Sequence, residues 1–127
     1  MIRLALVALG GGFGSVLRYV LAGWCQRFTG GAFPVGTLVV NVLGCLAIGV
    51  LKAAFSGSLL IREEYQIALT IGVLGGFTTF STFGWETFAQ VNEGAWIRAG
   101  LNVVLNVVLG FAAVLIGYRL AQKWFGA

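Results

Sequence analysis

Four apolar stretches, each long enough to cross a bilayer, leave this chain few folds to choose from. They run over about 4–24, 35–51, 67–88 and 97–119. At 1.5 Å per residue, roughly 20 helical residues span the hydrocarbon layer; the second stretch is at the short end. Of the 127 residues, 59% are hydrophobic and 9% are charged. A soluble domain this small keeps too much surface exposed to hide so much apolar material. The expected fold is therefore one all-α transmembrane domain, 1–127, with four spans. The opening run after Arg3 imitates a signal peptide, but its glycines, Arg18 and three further spans suit a mature helix. The net charge of +4 is spread along the chain and gives no nucleic-acid footprint.

The third span is the unusual one. Residues 72–84 read GVLGGFTTFSTFG, with four hydroxyls (Thr78, Thr79, Ser81, Thr82) and three phenylalanines (Phe77, Phe80, Phe83). Gly75 and Gly76 are poor helix residues, and threonine is β-branched. This predicts a helix broken near its middle, at 75–78. Backbone groups freed at membrane depth must be satisfied by protein, water or an ion, and such breaks are where many transporters and channels bind ions. A small-residue packing face is the alternative.

Polar residues recur at helical spacing elsewhere. Thr37, Asn41 and Cys45 share one face of the second span, and Asn102, Asn106 and Gly110 one face of the fourth. An intramembrane Asn makes an interhelical hydrogen bond or offers two amide hydrogens to an anion. In the first span, Gly10, Gly11, Gly14 and Ser15 form a packing face. Arg18 either snorkels to the interface or attracts an anion near a pore mouth. Glu86 falls near the end of its span, in a wet vestibule. Trp85, Trp96, Tyr118 and Trp124 fall near span ends, as interfacial aromatics do.

Four spans put both termini on one side. By depth, Arg18, Asn41, Phe80, Phe83, Glu86, Asn102 and Asn106 then gather between the midplane and the opposite face. One chain supplies half a pathway, and an inverted second copy would supply the other half. Arg3, Lys52, Arg62, Arg119 and Lys123 on the side of the termini against Arg18, Arg27 and Arg98 is a weak orienting bias. It permits dual insertion and equally permits a single orientation.

The chain has no His and no Asp. Serines and threonines lack a His partner, which argues against an enzyme. Cys25 and Cys45 match no metal pattern. What remains is a lining of amides, hydroxyls and phenylalanine edges, and a ring edge is electropositive. Edge-on Phe80 and Phe83 suit a small anion; as an i, i+3 pair they also suit ordinary packing.

The motifs GGGFGSVLRY at 10–19, GTLVVNVLG at 36–44 and GVLGGFTTFSTF at 72–83 resemble those of the Fluc (CrcB) fluoride channels over essentially the whole chain. The resemblance implies a passive channel that lets cytoplasmic fluoride leave a microbe across its plasma membrane, the inner membrane of a bacterium. It implies an antiparallel, dual-topology homodimer with two pores. It carries Asn41, Phe80 and Phe83 onto the fluoride pathway, with Ser81, Thr82 and the fourth-span stripe at Asn106 as further donors; Thr37 joins them by sharing the face of Asn41. Arg18 and Glu86 are read as vestibule residues from their places near span ends. Backbone carbonyls of Gly75 and Thr78, from both subunits, would hold a structural sodium ion. Asn106 and Gly110 depart from the hydroxyl residues of that family's fourth span. A small four-helix multidrug exporter and a non-transporting assembly factor are the alternatives; the exporter resembles this chain in size but relies on an intramembrane acid, which the first span lacks.

Overall fold

The computed structural model describes residues 1–57 and 60–126. Its elements are α1 (Ile2–Arg27), α2 (Val35–Ser56), α3 (Glu63–Ile67), a π-helical segment (Ala68–Leu74), α4 (Gly75–Phe77), α5 (Phe80–Asn92) and α6 (Trp96–Phe125). Four stretches are long and apolar enough to cross a membrane: α1, α2, the composite Glu63–Asn92, and α6. They exceed the expected spans at almost every end, because a helix continues past its apolar core until a turn stops it. Gly30, Gly31 and Gly94 supply those turns, with φ of 63°, 81° and 75°. Ser58 of the expected polar connection lies outside the described residues.

Helices in lipid associate through close packing, since lipid is as apolar as leucine. Two seams do this here. Along α2 and α6, Gly49 lies on the carbonyl of Val114 and Gly117 on that of Leu46. Along α1 and the first half of the third span, Gly14 lies on the Val73 carbonyl and Gly76 on that of Gly11. The packing face expected at Gly10, Gly11 and Gly14 is therefore present.

The break is real but sits later than expected. Gly75 is helical, with φ −61° and ψ −37°. The interruption falls on Thr78 (φ −92°, ψ 161°) and Thr79 (φ −151°, ψ 117°). The physical reason is a division of labour: Gly76 is used for close approach to α1, while β-branched threonines accept extended backbone readily. The wide turn over Ala68–Leu74 had no sequence signal. It carries Gly72 onto Val7 and Gly10 of α1, and such widened turns are frequent at functional sites.

The break also changes the partner. Before it, the third span packs on α1; after it, α5 packs on α6. The chain crosses from one side of the bundle to the other through two extended residues.

Candidate functional site

The crossing is held by side chains from two other helices, α1 and α2. Asn41 grips one peptide residue from both ends: Thr79 N–H donates to Asn41 Oδ1 at 2.9 Å, and Asn41 Nδ2 donates to Thr79 O at 3.1 Å. Arg18 Nη1 donates to Thr78 O at 3.3 Å. Thr79 then starts α5 as its N-cap: Thr82 N–H donates to Thr79 Oγ1 at 3.1 Å. Backbone that lipid could not satisfy is satisfied by protein. Arg18 is thus a brace on the break, which sets aside the first of its two expected readings, snorkelling to the interface.

Two clefts flank Thr79, which lines both. The smaller, about 420 Å³, gathers Asn41, Gly75, Thr78, Phe80, Phe83 and Asn106. The larger, about 750 Å³, gathers Arg18, Thr37, Thr82 and Glu86, with Gln90 and Arg98 further along. The anion track expected as one set of residues is therefore divided. Ser81 lines neither cleft; it is exposed, with its hydroxyl 3.4 Å from Thr79 Oγ1. Thr37 and Asn41 stand one turn apart on α2, yet Thr37 turns to Glu86, donating to its Oε1 at 2.7 Å.

In the smaller cleft the Phe80 and Phe83 rings lie 5.5 Å apart and inclined at 51°. Phe80 is 82% exposed in the single chain, so nothing within it covers that ring. Asn41 and Asn106 are not free donors. Asn41 Nδ2 also donates to Asn106 Oδ1 at 3.0 Å. Asn106 Nδ2 donates to both the backbone and side-chain oxygens of Asn102, each at 3.0 Å. Asn102 Nδ2 donates to Thr87 Oγ1 at 2.9 Å, and Thr87 Oγ1 to Phe83 O at 2.8 Å. An amide nitrogen has two hydrogens, so those of Asn41 and Asn106 are all engaged.

In the larger cleft, Glu86 Oε2 and Gln90 Oε1 are buried without a protein partner among the described residues. Acceptors of that kind suit a hydrated space. Arg18 and Glu86 both line this cleft.

The family model for CrcB-like protein, Camphor Resistance (CrcB), matches residues 5–118. The chain belongs to the CrcB-like family. Among its relatives, a protein of Solibacter usitatus is 47% identical over 93% of this chain and 97% of its own length. One of Chloroflexus aurantiacus is 44% identical over 99% of both, and one of Vibrio campbellii is 42% identical over 94% of both. All three are named fluoride-specific ion channel FluC. The family is one of ion channels and not of enzymes, and with four membrane-capable helices the chain is a multi-pass membrane protein.

The carbonyls that the resemblance assigns to sodium can be tested against this geometry. Thr79 N–H, which in a continuous helix would bond to Gly75 O, is given to Asn41 instead. The Gly75 carbonyl loses its ordinary donor on a face where a Cβ at Gly75 would meet nothing nearer than Thr70 O at 4.0 Å. Thr78 O accepts from Arg18 and keeps a second lone pair. The residues fit half of an oxygen cage for a hard cation, with a guanidinium close beside it. Sequence reasoning had passed over Thr79 and Asn102 as site residues. The signal for Thr79 was present, a threonine N-cap ahead of a new helix; for Asn102 only its place in the stripe pointed inward.

Proposed function

We propose that this chain is a passive, fluoride-selective channel that lets cytoplasmic fluoride leave the cell across the bacterial inner membrane. It works as an antiparallel homodimer with two pores and a structural sodium ion at the interface. The carrying observation is the cleft at the break, where Asn41, Asn106 and the tilted Phe80–Phe83 pair converge without any carboxylate. Its chemistry is an amide hydrogen and ring edges, which attract a small anion and offer a proton nowhere to reside. Relatives named fluoride-specific ion channels agree with that chemistry.

Selectivity needs donors that replace a hydration shell, and binding loose enough to release the ion. The exposed Phe80 and the open Gly75 face support a second copy seated on this cleft. When bound, sodium would supply a fixed positive charge to the interface, held by Gly75 and Thr78 carbonyls. The chain's own residues hold those carbonyls in place: Asn41 by removing Gly75's helical donor, Arg18 by bracing Thr78.

Purified protein in liposomes should release fluoride far faster than chloride. Its reversal potential should follow the fluoride gradient; one that follows sodium, or equal release of both anions, refutes the reading. A cysteine at Ser56, with Cys25 and Cys45 replaced, should be labelled from outside in only a part of the molecules in sealed cells, and in the remainder after permeabilisation. Labelling confined to one side refutes dual insertion.

A further inference from the structure

The side chains behind Asn41 form a line with only one possible polarity. The Thr79 peptide sets it: an N–H must face the Asn41 oxygen, so the Asn41 NH2 must face outward, toward Asn106. The Asn106 oxygen must then face Asn41, and its NH2 must face Asn102. That turns the Asn102 oxygen toward Asn106 and its NH2 toward Thr87, whose hydroxyl hydrogen is left for Phe83 O. One backbone peptide at the break and one in the first turn of α5 fix both ends. Asn102 is fully buried, so water cannot replace its contacts.

We propose that Asn102 and Asn106 are positioning residues that act through Asn41. They hold its amide so that one hydrogen points into the smaller cleft, and the Asn106 oxygen occupies the anion's place while the anion is absent. Resting on the channel reading above, this adds what readies the donor. An anion is a stronger acceptor than a neutral amide oxygen, so an anion entering between Phe80 and Asn106 takes the Asn41 hydrogen. The Asn106 amide stays anchored behind it by its two bonds to Asn102. When the anion leaves, the Asn41 hydrogen returns to the same Asn106 oxygen and Asn41 does not turn over. Asn106 is therefore a holder and not the further anion donor expected of it.

Fluoride efflux from liposomes containing full-length purified protein tests this. Asn102→Leu should lower flux about tenfold, the weight of one buried hydrogen bond. Asn102→Gln keeps a neutral acceptor for Asn106 and a donor for Thr87, and should stay within about threefold of the parent. In an Asn41→Ser background, Asn102→Leu should cause no further loss, because the group it positions is gone. Should Asn102→Leu fail to yield folded protein, Thr87→Val in both backgrounds makes the same comparison with a smaller effect. Losses that multiply with Asn41→Ser, or a folded Asn102→Gln as poor as Asn102→Leu, would overturn the positioning role while the parent still conducts. A parent that releases no fluoride overturns the channel reading and this one with it.

Discussion

The two halves of the third span solve the same problem by opposite means. The half before the break lies against α1 through glycines, backbone on backbone, with Gly72 and Gly76 on one side and Gly10 and Gly14 on the other. The half after it is held to α2 and α6 by side-chain hydrogen bonds, from Asn41 to Thr79, from Thr37 to Glu86 and from Asn102 to Thr87. Close packing is rigid and cannot exchange partners; a hydrogen bond can pass from one acceptor to another. The residues proposed for the pathway, Asn41, Phe80 and Phe83, lie with the second kind.

The contrast breaks first at its packed side. Gly76→Val should lose most of the folded protein, at a cost of about 3 kcal/mol or more, because its Cβ runs into the Gly11 backbone. Yield of monodisperse protein in detergent measures it. On the polar side, Asn41→Asp should fold yet nearly abolish fluoride flux, and Asn41→Ser should be milder. A carboxylate has no hydrogen for Thr79 O and repels the anion; equal flux from the two variants would show that Asn41 is no donor. Phe80→Ile keeps apolar bulk and removes the electropositive edge, so flux should fall about tenfold with folding unchanged. Gly75→Ala should do least to the single chain. Helix content should hold or rise slightly, by at most about 1 kcal/mol, since the new Cβ meets nothing closer than 4.0 Å. A lower dimer fraction in that variant would then report a second backbone close to Gly75.

Much of this was legible in the residues. Four spans follow from length and apolarity, and the interrupted third span follows from its glycines and hydroxyls. The expected interruption, 75–78, meets the observed one only at Thr78, because glycine signals both weak helix and close approach, and here it does the second. Helical spacing put Thr37 with Asn41 on one face, correctly. It could not say that Thr79 would wedge between them and send them to different clefts. Nor can residue type show which way an amide points: Asn106 reads as a donor until the Thr79 peptide, 27 positions earlier in the chain, fixes its direction.

Thr79 is the only residue lining both clefts among those described, and that thinness has an electrical consequence. The larger cleft reaches toward Pro34 and Arg98, and the smaller toward Ile48 and Thr70. With water in both, bulk-like conductor extends inward from each side, and the membrane potential falls mainly across the layer between them. A unit charge gains about 2.3 kcal/mol per 100 mV over the full drop. Concentrated on the layer around Thr79, that drop becomes a steep local field.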